Sequence, residues 1–224
     1  MGELPTYETN TPPQWLPKGC GVTEACVSCG LYNKTPSWSL PPVYDSNHNA
    51  LGKLDRDWIA IINSYPSEAE VYANGEQSRG SYDLSTAKWK LPMVHARRLQ
   101  SRWFATTALT CYPGKQEAEG KEHLDKVPTK NQLVSCAGQN LAYLLRKHKV
   151  KVIICLGDEA MHSVLGRYAP KKASSMGTTP FQIPGTDTIV FCLEHATKHY
   201  PKAKLNPKDL WPAYEEVFKT ADQI

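Results

Sequence analysis

Four apolar segments along the chain have the pattern of β-strands. Trp58–Ile62 and Val150–Leu156 are nearly continuous apolar runs bounded by polar residues, which is typical of strands buried on both faces. Phe104–Leu109 and Thr188–Leu193 are two further candidates. Because helical patterns alternate with these segments, we expect an α/β fold, a three-layer α/β/α sandwich around a four-stranded, mostly parallel sheet.

The predicted helices are marked by capping residues. Thr129–Gln132 fits a capping box, and apolar residues follow at helical spacing over 133–145. Asp158 is expected to cap a short helix that ends before Gly166. A last helix is expected to open at Asn206-Pro207, a cap followed by a first-turn proline.

Length and composition favour one substantial domain. The chain has 224 residues, of which 41% are hydrophobic, so we expect a single domain over 20–224, preceded by an extended, proline-rich arm over 1–19. No apolar run approaches the ~20 residues of a membrane-spanning helix. The formal charge of +4 is compatible with nucleic acid but does not by itself indicate it. We expect a monomeric, cytoplasmic protein without a membrane partner.

Four of the seven cysteines have an order that suggests a metal centre. The first residues lack a basic and apolar leader, so we expect a reducing interior and no disulfide framework. Cys26 and Cys29 form a C-x-x-C, and Cys111 and Cys136 follow as isolated cysteines. Thiolate sets select zinc or iron–sulfur clusters, and isolated third and fourth ligands fit a cubane cluster better than a zinc ribbon. Spacing alone leaves four ordinary buried thiols as an equal alternative.

Polar residues follow each predicted strand. They occupy 63–70, 110–114, 157–158 and 194–199. In open parallel sheets the functional site lies beyond the carboxyl ends of the strands. We therefore expect these segments to converge on one site.

The order of these motifs resembles the uracil-DNA glycosylase superfamily, in the branch that carries a four-iron cluster, from about Cys26 to the C-terminus. Cys26-x-x-Cys29-x-Leu31 is similar to that branch's C-x-x-C-x-L, and Ile61–Glu70 to a loop that ends in G-E-x-P-G-x-x-E. Thr106–Gly114 resembles T-N-x-V-K-C-R-P-P, and Lys151–Ala160 resembles K-V-I-x-x-L-G-x-x-A. His195 falls where the motif H-P-S begins.

The resemblance implies a structural 4Fe–4S cluster and a base flipped out of DNA into a pocket. Cleaving an N-glycosidic bond needs a hydrogen-bond donor at the leaving base and a group that positions water. The implied catalytic residues are His195, Glu70 and Asn63. The implied substrate-binding residues are Ser64, Tyr65, Pro66, Tyr82 and Thr107. The implied DNA contacts are Lys198, His199 and Lys202, and the implied cluster ligands are Cys26, Cys29, Cys111 and Cys136.

The chain also departs from the family pattern. Asn63, Ser64 and Tyr65 stand where the family has Gly-Glu or a catalytic Asp or Asn, and Thr107 replaces the asparagine that reads uracil. A threonine offers one hydroxyl and cannot form the paired bonds of an amide. We therefore expect a modified pyrimidine, such as an oxidised, hydroxymethylated or glycosylated base, to be preferred over plain uracil. Such bases suggest a role in phage defence or phage DNA metabolism.

Other interpretations stay open. A lone histidine is more often structural, Glu70 can simply hold its loop, and Asn63 needs no function as a turn residue. A non-catalytic DNA-binding or replication-accessory protein on the same scaffold is the main alternative to an enzyme. A zinc-bound interaction module is a third.

Overall fold

The structure is a computed structural model that describes residues 29, 31, 42–44, 58–67, 70, 72–73, 76–77, 87–114, 126–196 and 207–224. Several predictions from the sequence lie outside these residues: the arm over 1–19, and the roles of Cys26, Tyr82, Lys198, His199 and Lys202.

A six-stranded mixed sheet forms the centre of the fold. The strands are β1 (Val43–Tyr44), β2 (Trp58–Asn63), β3 (Tyr72–Ala73), β4 (Glu76–Gln77), β5 (Arg102–Thr107), β6 (Val150–Leu156), β7 (Phe181–Gln182) and β8 (Ile189–Leu193). The order in the sheet is β1-β5-β2-β6-β8-β7, and β3 pairs with β4 separately. The four predicted strands correspond to β2, β5, β6 and β8, which form the parallel centre of the sheet. The predicted number of four strands was wrong because a two-residue antiparallel strand pairs with each edge of this centre. The strand predicted at 104–109 lies at Arg102–Thr107.

The described helices are α1 (Ala87–Ala96), α2 (Lys130–Cys136), α3 (Ala142–Lys147), α4 (Asp158–Leu165) and α5 (Pro207–Gln223), with a π-helical turn at Ala137–Leu141 and 3-10 turns at Gly166–Tyr168 and Ala173–Ser175. The capping box is confirmed: the Thr129 hydroxyl accepts from Gln132 N, and the Gln132 side chain accepts from Thr129 N. The predicted cap of α4 was wrong. Gly157 is its N-cap, and the Asp158 carboxylate instead accepts from the Ala173 N–H at 2.7 Å.

The chain divides into two compact units. One comprises Met1–Pro41, Tyr65–Ser81 and Leu109–Leu144, and the other comprises Pro42–Ser64, Tyr82–Ala108 and Leu145–Ile224. The six-stranded sheet belongs wholly to the second unit.

The second unit buries both faces of its sheet. On one face, apolar residues of the central strands pack against α1 and α5, which contribute Trp89, Met93, Tyr214, Val217 and Phe218. Residues of the opposite face, such as Ile62, Phe104 and Ile153, are equally buried. This double burial explains why the strands have continuous apolar runs. In the part of the chain that the structure describes, no helix is long and apolar enough to cross a membrane.

Candidate functional site

Asn63, the last residue of β2, is fully buried and holds a fixed orientation. Its Oδ1 accepts a hydrogen bond from the Ser64 backbone N–H at 2.8 Å and lies 2.6 Å from His195 Nε2. A backbone N–H can only donate, so the amide atom that faces it is the oxygen. Because a carboxamide oxygen only accepts, His195 Nε2 carries the hydrogen of the second bond. Asn63 Nδ2 is buried and has no hydrogen-bond partner among the described residues.

The strand register brings His195 to Asn63. Asn63 is paired with Leu156 of β6, and Leu156 is paired with Leu193 of β8, so the three parallel strands end at the same level. His195 is the second residue after Leu193. The Tyr214 hydroxyl of α5 donates to the Glu194 carbonyl at 2.8 Å and fixes the backbone just before the histidine. Burial, with a smaller effect of the Glu194 carboxylate, raises the pKa of Tyr214, so its hydroxyl stays protonated.

Gly157 follows β6 directly and lies between the carboxyl ends of β2 and β8. Its φ of 95° and ψ of 171° are in a region that is essentially restricted to glycine. A Cβ built at this position would lie 3.1 Å from His195 Cβ and 3.1 Å from Ser64 Oγ. The glycine therefore permits both a turn after β6 and the close approach of the His195 and Ser64 side chains.

Ser64 links the end of β2 to the first turn of α4. Its hydroxyl lies 3.0 Å from Glu159 Oε2 and 3.2 Å from the Leu156 carbonyl oxygen, so it can donate to either. A carboxylate is thus held near the strand ends at a helix N-terminus, where the helix dipole favours negative charge.

Thr107 ends β5 and is the register partner of Asn63. It is 1% exposed, and its hydroxyl has no hydrogen-bond partner among the described residues. The chain then continues through Ala108, whose N–H donates to the Asn63 carbonyl at 2.7 Å. The structure thus brings together four residues predicted for the site, Asn63, Ser64, Thr107 and His195, at the carboxyl ends of the parallel strands.

The remaining predicted residues of the first loop belong to the first unit. Glu70 is fully buried, and its Oε2 accepts from the Ser67 N–H at 2.6 Å and from the Ser67 hydroxyl at 2.8 Å. The bond from the Ser67 N–H to the Glu70 side chain is the one that an N3 glutamate forms with the N-cap residue in a capping box, and it stabilises the loop. Tyr65 is half-buried, and Pro66 is buried.

Cys136 is surrounded by hydrogen-bond donors. Its Sγ accepts from the Thr110 backbone N–H at 3.4 Å and from Asn140 Nδ2 at 3.4 Å, and the Thr110 hydroxyl lies 3.6 Å away. Donors around one sulfur stabilise its charged form and are typical of cysteines that bind a metal or cluster. Thr110 directly precedes Cys111, which is a second predicted ligand.

The described residues do not include the complete predicted ligand set. Cys29 and Cys111 are half-buried, and Cys26 lies outside the described residues. Among the described residues, no group of three or more His, Cys, Asp or Glu side chains lies close enough to hold a metal ion. The four-cysteine cluster stays a prediction.

Two further cysteines lie within the sheet. Cys155 and Cys192 are register partners on β6 and β8 and are fully buried. Burial, together with a hydrogen bond that the Cys155 thiol donates to Cys192, raises the pKa of the Cys155 thiol well above its usual range. The predicted ligand set leaves both of these cysteines out.

Three residues that shape the candidate sites were not predicted from the sequence. Glu159 and Asn140 are ordinary helix residues in the pattern, and only their contacts with Ser64 and Cys136 single them out. For Asn140 a signal existed, since it follows Cys136 by four residues and neighbours at this spacing share a helix face. Gly157 was predicted only as part of the segment 157–158 that follows a strand, and not as a point of close approach.

Comparison with known proteins gives no family model that matches this chain and no curated protein that matches it.

Proposed function

We propose that the protein is a DNA glycosylase that hydrolyses the N-glycosidic bond of a flipped-out, modified pyrimidine. The observation that carries the proposal is the pair formed by Asn63 and His195 at the carboxyl ends of parallel strands, where an α/β fold places its chemistry. A buried amide nitrogen without a partner in the described residues is a group for which a ligand is expected.

The reaction requires what these side chains offer. Bond cleavage develops positive charge on the sugar and negative charge on the departing base. Preorganised N–H donors stabilise such an anion without reorganising during the reaction. Asn63 Nδ2 is a donor of this kind, and the His195 Nε2–H fixes its direction by donating to Asn63 Oδ1. The Glu159 carboxylate beside Ser64 is an acceptor that can orient water.

We propose DNA as the partner of a monomeric, cytoplasmic protein, and a three-layer arrangement like that of the glycosylase superfamily. We also propose that Cys26, Cys29, Cys111 and Cys136 bind a 4Fe–4S cluster that ties separate segments of the chain together when bound. The donors around Cys136 Sγ support this ligand set.

The test is incubation of the anaerobically purified protein with otherwise identical oligonucleotides that carry plain or modified pyrimidines. Free base and abasic sites are measured, together with iron, sulfide and zinc. We expect release of a modified base by a brown protein that contains iron and sulfide. Release of no base by an intact cluster-bearing protein would instead support the non-catalytic DNA-binding protein. A colourless protein with stoichiometric zinc would contradict the cluster.

A further inference from the structure

We propose that Arg102, the first residue of β5, binds an oxyanion, the phosphate or carboxylate group of a small ligand. This position lies at the amino ends of the parallel strands, whereas the candidate site lies at their carboxyl ends. The inference does not depend on the proposed glycosylase function, and it concerns a side chain to which that function gives no role.

The length of the strands separates Arg102 from the candidate site. Arg102 is the register partner of Trp58 at the start of β2. The last register pair of the same two strands is Asn63 and Thr107. Strand β5 has six residues, so at about 3.3 Å per residue its two ends lie roughly 16 Å apart. An anion at Arg102 is therefore a different ligand from one bound at Asn63.

The guanidinium of Arg102 is buried without a hydrogen-bond partner for two of its nitrogens. The residue is 9% exposed, and Nε and Nη2 are buried and have no partner among the described residues. A guanidinium keeps its charge inside a protein, and a buried charge without a partner strongly destabilises the folded state. We therefore expect a counter-ion to bind to these two nitrogens.

The position of the two nitrogens defines the shape of that counter-ion. The Nε–H and the adjacent Nη2–H point in parallel from one edge of the planar guanidinium. Two oxygen atoms of one carboxylate or phosphate group accept such a pair of bonds, and arginine favours this bidentate geometry. A chloride ion offers a single atom to the two donors, and a cation is repelled. The ligand group is therefore an oxyanion.

Aromatic side chains hold the guanidinium in place. Its Cζ lies 5.6 Å from the ring centroid of Trp58, which is itself buried. The Trp58 ring packs against the rings of His148 at 4.7 Å and Tyr44 at 5.9 Å. The cation–π contact stabilises the charge but supplies no hydrogen-bond acceptor to Nε or Nη2. Because the side chain is already ordered by these contacts, less conformational entropy is lost when an anion binds.

Thermal unfolding in phosphate and in chloride at equal ionic strength tests the proposal, with acetate as the carboxylate probe. Phosphate also stabilises proteins in general through exclusion from their surface, so the measured quantity is the difference between the wild-type protein and Arg102→Met. At least one of the two anions should raise the Tm of the wild type saturably, by roughly 5–10 °C at a hundredfold excess over Kd. Arg102→Met removes the charge and keeps an apolar side chain, so it should lose this rise and be at least as stable as the wild type in chloride.

Two further variants and a direct measurement complete the test. Arg102→Lys keeps the charge but not the parallel donors, and it should bind the anion more weakly. Arg97→Met removes an exposed arginine and should keep the wild-type response. Isothermal titration calorimetry of the wild-type protein with phosphate and with acetate gives Kd without relying on any variant, and it shows which of the two groups is preferred.

Absence of saturable binding of both anions to the folded wild-type protein would overturn the inference, as would an unchanged response in Arg102→Met. A wild-type protein that responds to neither anion, together with a destabilised Arg102→Met, would instead assign the guanidinium a partner within the chain. These measurements do not involve base release, so their failure leaves the glycosylase proposal intact.

Discussion

Replacing Gly157 by alanine tests the geometry of the site most directly. The change adds one methyl group at the point where the end of β6 approaches the His195 and Ser64 side chains. Two separate costs follow from the structure: a backbone conformation that alanine rarely adopts, and contacts of 3.1 Å to His195 Cβ and to Ser64 Oγ.

The magnitude can be worked from these two terms. Holding a non-glycine residue in such a conformation costs of order 1–3 kcal/mol. Overpacking a filled site costs typically about 1–3 kcal/mol, here near the lower end because the neighbours need to move only a few tenths of an ångström. We expect a loss of ~2–4 kcal/mol in the free energy of unfolding, which for a chain of this size lowers Tm by roughly 5–15 °C.

Thermal unfolding followed by circular dichroism measures the effect, and Gly185→Ala is the matched control. Gly185 has a φ of 78°, but a Cβ there would meet nothing within 4 Å, so only the backbone term applies. We expect Gly157→Ala to lower Tm more than Gly185→Ala and to slow base release at temperatures where it remains folded. If the two variants lost the same stability, the close approach of His195 and Ser64 to Gly157 would be refuted.

Four further outcomes are expected. His195→Ala should slow base release about a hundred- to a thousandfold with DNA binding retained, and near-normal turnover would make the histidine structural. Tyr214→Phe should lower the free energy of unfolding by about 0.5–1.5 kcal/mol in chemical denaturation, through loss of the bond to the Glu194 carbonyl. Cys136→Ser should bleach the proposed cluster and Asn140→Leu should weaken its retention, as measured by visible absorbance; unchanged spectra would contradict the ligand set. Burial lowers the pKa of His95 in the folded protein, so the unfolded chain binds a proton at this histidine more tightly. The free energy of unfolding should therefore fall as the pH drops below about 6.5, and this fall should be smaller in His95→Phe.

The central strands could be predicted because burial on both faces leaves an uninterrupted apolar run. Ile59 and Ile61 face one side of the sheet, Ala60 and Ile62 face the other, and all four are buried. The edge strands have only two residues each, too few for any periodicity to emerge. Helix α1 was missed because Pro92 lies inside it, and proline removes a backbone donor and normally indicates the end of a helix.

The site was predictable only in part, for a physical reason. That polar residues would meet at the carboxyl ends of the strands follows from parallel topology, which the pattern already indicated. Which atoms meet depends on the register between strands, and register is a tertiary property. The bond between Asn63 and His195 spans 132 positions of the chain, and no local pattern encodes the direction of the amide.

Ser64 is suited to the two acceptors beside its hydroxyl. That hydroxyl lies 3.0 Å from Glu159 Oε2 and 3.2 Å from the Leu156 carbonyl oxygen. A glutamate at position 64 would direct a second carboxylate at these two acceptors, where like charges and lone pairs repel. Serine instead supplies a donor. The carboxylate beside Ser64 at the ends of the strands is therefore that of Glu159, in the first turn of α4, and the Ser64 hydroxyl is the donor next to it.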